Sequence, residues 1–424
     1  MVRKFAALLT AKTQIAIALV ALGISMESPA SAQEASADAG RGVPVYERAR
    51  PELDPLGIRA GAFMIHPEAR LTGTFNDNVY ATKNNRKSDF VTTVAPSVSI
   101  ASNWSRHSLG LDAGVTAGFY ADRSDEDYVD GRLGLNGRLD VLRETFIEGH
   151  LGVARRHEER GDPDVPLANK KPSIYYQYNA GVTGYHGAGR LSLRMGTDFT
   201  RNDYHSVDIE GGGERSQTER DYNVYEPHVR VAYELLPNVI PFIQGRYNWR
   251  RYDNNSVHSD SEGYRIALGT GFDAGGIITG EVYGGYMRQS YDESDRKDAK
   301  GLWFGGNVLW NVTRLTSVQA GLERRVNETQ RTDTSGYTRT AFQSRVDHEL
   351  LRNLLIGAYG DVWYDDYNGV NIDDTYYEAG PRITYLWNRN LTAELSASHR
   401  RRDSNRDSRN YKTNRVLFSI TGRL

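Results

Sequence analysis

From Glu68 to the end of the chain, apolar and polar residues alternate with a period of two, and this pattern constrains the fold more than any other feature. In residues 109–119 the odd positions are Leu, Ala, Val or Phe, whereas the even positions are Gly, Asp or Thr. Residues 391–397 and 411–424 repeat the pattern, with Leu417 as an exception. Successive side chains of a β-strand point to opposite faces, so we predict strands with one apolar and one polar face rather than helices.

Short and long polar joints separate these stretches in strict alternation. The short joints contain turn residues such as Pro and Gly; they lie near Asn103, Leu142, Gly187, Pro237, Gly275, Val312, Arg352 and Asn388. The long joints are polar and often acidic, and they cover residues 77–89, 121–127, 157–172, 202–219, 252–262, 290–299, 327–336, 366–374 and 402–410. Eight short and nine long joints predict 18 strands, with short turns at one end and long loops at the other.

A closed transmembrane barrel fits this pattern better than a soluble β-sandwich or propeller. The last strand would leave an open edge in a sandwich, whereas in a barrel it pairs with the first strand. The mean hydropathy of −0.60 is too polar for membrane-spanning helices but suits a barrel, in which every second residue faces water. A hairpin spacing of about 40 residues also fits a propeller, although no Trp-Asp or Gly-His signature recurs. We therefore predict an all-β, up-and-down antiparallel barrel that spans a membrane.

The N-terminal region divides into two segments before the barrel. Residues 1–32 have a positive start, an apolar run of about ten residues that is too short to span a bilayer, and Ala30-Ser31-Ala32, as in a cleaved signal peptide. Residues 33–67 are rich in Pro, Gly and charge, which predicts an extended periplasmic segment. Residues 68–424 then form the predicted outer-membrane barrel.

Three short motifs carry a family resemblance. They are Pro-Glu-Leu-Asp-Pro-Leu-Gly-Ile-Arg at residues 51–59, Gly-Ala-Phe at 61–63 and Phe-Asn-Asp-Asn-Val-Tyr at 75–80. Together they resemble the opening of the outer-membrane β-barrel porin family of Gram-negative bacteria known as the "beta-barrel porin 2" group. The resemblance covers essentially the whole mature chain and implies an outer-membrane location, with some members associated with surface-polysaccharide export. The chain ends in Leu424, whereas many outer-membrane barrels end in Phe.

The polar faces of the strands are rich in arginine and carboxylate side chains. A charge on the lipid face would cost about 2–4 kcal/mol near the midplane, so these residues should face the lumen. The candidate pore-lining residues are Arg132, Arg190, Arg194, Arg230, Arg246, Arg265, Arg382, Glu281 and Glu394. Rings of arginine would favour anionic solutes. Alternatively, the arginines and carboxylates pair with one another and simply line the wall, which is the interpretation we favour.

Other polar features suggest weaker hypotheses. Inward-facing aromatic residues would form a stacking track for sugars, or would only fill space; they are Tyr175, Tyr185, Tyr283, Trp303, Tyr359 and Trp363. The acidic loops carry carboxylate oxygens suited to divalent cations, but a solvated outer surface explains them as well. The loop with Gly211-Gly212-Gly213 is either a constriction folded into the pore or an ordinary outer loop.

No motif for catalysis or cofactor binding stands out in the sequence. The 10 histidines are scattered, there are 0 cysteines, and no glycine-rich loop leads from a strand into a helix. We therefore expect no enzyme activity, cofactor or metal site. Lys+Arg 52 against Asp+Glu 54 gives no basic excess for nucleic acid.

Two main functions remain open at the level of sequence, and a third hypothesis is an adhesin that acts through the acidic loops. The first is a porin-like channel for passive diffusion of small polar or charged solutes. The alternative is an outer-membrane component of surface-polysaccharide export or anchoring. Expected partners are outer-membrane lipid and lipopolysaccharide, the barrel-assembly machinery, and the solute or polysaccharide itself. Single-channel conductance separates the two functions, because a filled scaffold barrel should give none.

Overall fold

The fold is built almost entirely of long antiparallel strands. The computed structural model describes residues 42–163, 165, 169–209, 211–254, 260–294, 296–327, 329, 331 and 334–424, so the predicted signal peptide lies outside the described residues. The strands are β1 (Phe63–Asn76), β2 (Asp89–Ser102), β3 (Ser108–Tyr120), β4 (Tyr128–Leu142), β5 (Thr145–His157), β6 (Ile174–Ala188), β7 (Leu191–Tyr204), β8 (Tyr222–Tyr233), β9 (Val239–Tyr252), β10 (Ser261–Ala274), β11 (Ile278–Tyr291), β12 (Ala299–Trp310), β13 (Thr316–Asn327), β14 (Tyr337–Leu351), β15 (Leu354–Tyr367), β16 (Asp373–Leu386), β17 (Leu391–Ser404) and β18 (Tyr411–Arg423).

The sheet closes on itself. Each strand pairs antiparallel with its neighbours in sequence, and β1 pairs with β18 from Glu68 opposite Arg423 to Asn76 opposite Arg415. The C-terminal strand therefore has partners on both sides, as a barrel requires. The predicted closed barrel of 18 strands is confirmed.

Turns and loops lie at opposite ends, as the alternating joints predict. Gly275 and Gly276 form the turn after β10 with φ angles of 67° and 72°, a conformation that favours glycine. Two boundaries differ from the predictions. The first strand begins at Phe63, five residues before Glu68, because a three-residue strand, Ile58–Ala60, pairs with its start. Arg190 lies in the turn between β6 and β7 and not on a strand.

The outer face of the barrel is apolar along its whole circumference. Leu268 is 66% exposed although it lies in the middle of β10, and Leu302, Leu151 and Met195 are similarly exposed. Exposed apolar residues alternate with inward polar ones on every strand, which is the pattern of a wall between lipid and water. Among the described residues, no helix has the length and apolarity needed to cross a bilayer.

Leu268→Arg tests the lipid-facing assignment. We expect a loss of about 2–4 kcal/mol in the free energy of unfolding, because the guanidinium would lie near the membrane midplane. Leu268→Ala is the matched control, since it removes the leucine without adding a charge. Urea titration of the protein in lipid vesicles measures both. Equal stability of the two variants would contradict the assignment.

Two segments enter the barrel from its ends. Residues 42–54 turn into the mouth at the short-turn end, and Val45–Glu47 forms a single 3-10 turn there. This part of the segment predicted to be extended therefore packs against the inner wall, where Val45 is completely buried. Residues 158–163, which begin the loop after β5, fold inward at the opposite end and reach the wall at β17 and β18. The lumen is therefore narrowed at both ends.

Candidate functional site

Charged side chains line the lumen, but their exposure differs greatly around the barrel. On β3 and β4 the side chains of Asp112 and Arg132 are 53% and 51% exposed, with 3.8 Å between carboxylate and guanidinium. On β14 and β15 the side chains of Arg339 and Asp365 are 3% and 0% exposed. All four residues lie on the inner face, so the difference reflects what covers them. The β3–β5 side is open to water, and the β14–β17 side is packed.

Arginines and carboxylates pair at the middle of the wall. Glu226 on β8 accepts a hydrogen bond from Arg246 at 2.7 Å and also forms an ion pair with Arg265. One carboxylate therefore pairs with two guanidinium groups. Arg230 pairs with Glu281 at 3.0 Å, and its guanidinium lies 4.1 Å from the centre of the Phe242 ring. These contacts satisfy the charges within the wall. The structure therefore favours the network of pairs over unpaired rings of arginine.

Asp198 on β7 lies between two histidines. Its carboxylate is 3.2 Å from Nδ1 of His228 and 3.9 Å from Nε2 of His150. Thr183 approaches the other nitrogen of His228 at 3.3 Å. In the described part of the chain, no group of three or more His, Cys, Asp or Glu side chains is arranged to hold a metal ion. The His–Asp contacts thus extend the polar lining of the lumen.

The packed side of the lumen is held by buried ion pairs. Arg339 donates to both oxygens of Asp365 at 2.6 Å, and Arg400 donates to Glu378 at 2.7 Å. Asp347 accepts from Arg345 at 2.9 Å and from Arg382 at 2.8 Å. Bidentate guanidinium–carboxylate geometry is suited to such confined pairs. We conclude that this side is a packed structural core.

The inward loop, residues 158–163, is held between the loop end of the barrel and the far wall. On one side, Arg160 forms a buried bidentate pair with Glu126, in the loop after β3, at 2.6 and 2.9 Å. On the other side, Glu159 pairs with Arg415 at 3.3 Å, and the hydroxyl of Tyr411 donates to the carbonyl of Gly161 at 3.3 Å. The loop leaves β5 and ends against β18, so it crosses part of the lumen.

Two of the carboxyl groups of the inward loop, those of Glu159 and Asp162, have pKa values shifted in opposite directions. The positive charges of Arg415 and Arg400, opposed by burial, lower the pKa of Glu159. Burial, reinforced by the charge of Glu159, raises the pKa of Asp162 above its usual range. Glu159 is therefore the negative charge that faces the arginines of the wall, and its backbone N–H donates to Asp162 at 2.9 Å.

The structure places the nine predicted pore-lining residues in different surroundings. Eight of the nine lie on inward-facing strand positions, and only Arg190 lies in an exposed turn. Arg132 is on the open side. The guanidinium of Arg382 lies 4.0 Å from the ring centre of Tyr46, which belongs to residues 42–54. Burial raises the pKa of Tyr46, and the negative charge of Glu394 raises it further. Direct contact with solutes remains a prediction for the eight inward-facing residues.

The aromatic track is less suited to sugars than the sequence suggests. Trp303 and Trp363 are buried, at 3% and 6% exposure, so their ring faces are not available to a solute. Trp363 stacks on Tyr376 at 4.9 Å, and Trp303 packs against Tyr283 at 5.0 Å. The rings of Trp363 and Tyr376 fill space on the packed side, and those of Trp303 and Tyr283 fill space along β11 and β12. They do not form a continuous exposed surface.

Of the two alternatives for the glycine-rich loop, the structure supports an ordinary outer loop and not a constriction. Gly211, Gly212 and Gly213 lie at an exposed hairpin tip with φ angles of 92°, 93° and 98°, and no heavy atom would lie within 4 Å of an added Cβ. The loop that enters the lumen is the one between β5 and β6. Its sequence shows only a run of charged residues. Its role depends on Glu126 and Arg415, which are distant in the chain, so no local pattern could identify it.

The family motif at residues 75–80 also has a structural role. Asn78 is almost completely buried, and its amide donates at 2.8 Å to the carbonyl groups of Thr82 and Lys412. Asp77 accepts from the backbone and side chain of Asn414 at 2.7 and 2.6 Å. The motif therefore ties the first loop to β18, next to the closure of the barrel.

The chain is similar to a known protein family and to several solved structures. The family model described as "Putative beta-barrel porin 2" matches residues 50–424. Among solved structures, Pseudomonas aeruginosa OccK1 (OpdK) is 12% identical, with 85% of this chain and 99% of that chain covered and a TM-score of 0.44. OccK2 (OpdF) of the same organism is 11% identical, with 85% and 98% covered and a TM-score of 0.47. No curated protein matches the sequence.

The match spans the barrel and begins at residue 50, near the end of the segment that enters its mouth. Together with the apolar outer wall, the closed sheet and the charged lumen, it defines both the location and the class of the protein. The chain belongs to the beta-barrel porin 2 family and is a porin-like channel for small solutes in the outer membrane of a Gram-negative bacterium.

Proposed function

We propose that solutes cross the barrel by passive diffusion along the β3–β5 side of the lumen. The observation that carries this proposal is the unequal exposure of the inner charges. Asp112, Arg132 and His150 have side chains that are 53%, 51% and 46% exposed. On the packed side, the exposure of Asp347 is only 3%. Water reaches the first group and not the second, so polar solutes should follow the same route.

The inward loop narrows this route and sets its size limit. Glu159 holds the loop against Arg415 on β18, while Arg160 holds it to Glu126 in the loop after β3. Both attachments are charge-assisted hydrogen bonds, which restrict the motion of the loop. The passage is therefore bounded by the open wall on one side and by the loop on the other. Small polar or charged solutes fit such a passage better than bulky ones.

Ion selectivity should be weak in the wild-type channel and should change sign between two variants. Asp112 and Arg132 contribute one charge of each sign to the same place, so their effects on a passing ion largely cancel. A unit charge about 4 Å away is worth about 1 kcal/mol in water. We expect Asp112→Asn to shift the potassium-to-chloride permeability ratio toward chloride, and Arg132→Gln toward potassium, each by up to roughly five-fold.

Reversal potentials in planar bilayers under a KCl gradient measure these shifts. Arg401→Gln and Asp403→Asn are matched controls, because this pair, 2.6 Å apart, lies on outward-facing positions of β17 with similar exposure. The controls should leave the ratio unchanged. The route is incorrect if the lumen variants behave like the controls, and the channel function itself is incorrect if the refolded wild-type protein gives no conductance.

The second candidate function is surface-polysaccharide export or anchoring, which we keep as an outcome of the same measurement. The ion pairs and aromatic rings of the packed side leave less room for a long chain than an evenly lined lumen would. A barrel that gives no conductance, with its inward loop still in place, would support a scaffold role. Contacts with lipopolysaccharide and the barrel-assembly machinery remain expectations for an outer-membrane barrel.

A further inference from the structure

Residues 42–54, which we call the plug segment, enter the mouth at the short-turn end. The backbone N–H of Gly42 donates to the carbonyl of Gly276 at 3.0 Å, in the turn between β10 and β11. The segment then crosses to the other side of the mouth, where Arg423 donates to the carbonyl of Leu53 at 3.3 Å. The segment thus extends across the end of the barrel from the β10–β11 turn to β18.

The middle of the plug segment lies inside the lumen. Val45 is completely buried, and its N–H donates to the hydroxyl of Ser317 on β13 at 2.8 Å. The ring of Tyr46 lies between two guanidinium groups, 4.0 Å from that of Arg382 and 5.0 Å from that of Arg345. These arginines lie several residues inside their strands, so Tyr46 penetrates well beyond the turns.

Arg50 connects the plug segment to the wall. Its side chain is 3% exposed and donates to Glu349 at 2.7 Å, while it also donates to the carbonyl groups of Val45 and Arg48 at 3.0 Å. One guanidinium therefore both shapes the segment and attaches it to β14. The turn that follows is completed by Asp54, which accepts from the N–H of Arg50 at 2.5 Å.

Other contacts of the plug segment are easier to break. Glu52 and Arg352 form an exposed pair at 2.6 Å, the kind that contributes little in water. The Oε2 atom of Glu47 is buried and has no hydrogen-bond partner. Burial raises the pKa of that carboxyl to about 7, against the charge of Arg345, which lowers it. Further hydrogen bonds hold the segment, from Arg48 to Asn311 at 2.8 Å and from Arg389 to the carbonyl of Pro51 at 3.0 Å. The docked segment therefore combines a buried attachment at Arg50 and these hydrogen bonds with groups that favour release.

From this arrangement we infer that the plug segment is a tethered gate, whose docked form narrows the channel and whose release widens it. The inference rests on the proposed channel function. The segment remains joined to β1 after release, so it would rebind without diffusing away. It covers the turns from β10 to β18, about half of the mouth at this end, and its release should roughly double the open area of the mouth itself.

A reversible disulfide tests docking and gating separately. The chain contains 0 cysteines, so Val45→Cys with Ser317→Cys introduces a single pair at a direct contact. We expect the disulfide to form efficiently and the oxidised protein to conduct at or below the wild-type level. Removal of residues 42–54 should instead raise the conductance roughly two-fold. Arg50→Ala should give part of this increase. Arg59→Ala, an exposed arginine in the same region, is the matched control and should give none.

The possible outcomes separate the gate from the channel. If the disulfide forms but removal of the segment leaves conductance unchanged, the segment docks without gating and the channel function stands. If the disulfide does not form, the docked position is wrong. If neither the wild-type protein nor the variant without residues 42–54 conducts, the channel function fails, whereas the disulfide yield still reports on docking.

Discussion

Arg339→Ala is expected to destabilise the barrel by about 3–5 kcal/mol, because it leaves the carboxylate of Asp365 buried without its charge partner. The pair lies on the packed side with both Arg339–Asp365 hydrogen bonds at 2.6 Å, and the two side chains are almost completely inaccessible. The rings of Tyr337 and Trp363 surround the guanidinium at 5.3 and 5.9 Å. Urea titration in lipid vesicles measures the loss.

Two control variants distinguish the effect of losing the ion pair from the effect of losing side-chain volume. The double variant Arg339→Leu with Asp365→Leu removes both charges and should recover most of the stability, because apolar residues of similar size often replace a buried pair without cost. Arg401→Ala breaks the exposed pair with Asp403 and should cost no more than about 1 kcal/mol. If Arg339→Ala costs as little as Arg401→Ala, the packed side is hydrated and our division of the lumen is wrong.

Arg160→Ala is expected to release the inward loop and raise single-channel conductance. The substitution removes the bidentate pair with Glu126 and also the hydrogen bonds to the carbonyl groups of Asn169 and Lys170, at 2.8 and 3.1 Å. Breaking a buried pair of this kind costs about 3–5 kcal/mol. That corresponds to a change of roughly 10²–10⁴-fold in the population of the docked loop, since each 1.4 kcal/mol is a factor of ten.

Lys170→Ala is the control for this loop. Lys170 pairs with Asp125 at 3.7 Å, and both side chains are half exposed, so its loss should leave conductance unchanged. Equal conductance of Arg160→Ala and wild type would mean that the loop does not limit the passage. The limit would then lie at the plug segment, a result that the disulfide variant can examine independently.

The alternation of residues along each strand was sufficient to predict the barrel. Leu268 and Arg265 point to opposite faces of the barrel wall because one has an even and the other an odd position in the same strand. This alternation follows from the geometry of any β-strand. The turns could also be predicted, since Gly275-Gly276 adopts a conformation that other residues avoid. Even the closure of the sheet was predictable, because an unpaired C-terminal strand would be costly. These features depend on neighbours in sequence.

The distribution of open and packed regions could not be predicted in the same way. Arg132 and Arg339 occupy equivalent inward positions on their strands, yet one is open to water and the other is buried. Their difference arises from segments that return to the wall from elsewhere in the chain, such as Tyr46 against Arg382. Strand periodicity carries no information about such contacts.

The sequence by itself determined a closed barrel with an apolar exterior and a charged interior, because side-chain direction in a strand is a local property. Only the tertiary structure decided which charges face water, which loop enters the lumen and that residues 42–54 occupy its mouth. Those outcomes depend on contacts such as Arg50 with Glu349, between residues far apart in the chain. Their partners become neighbours only when the sheet closes.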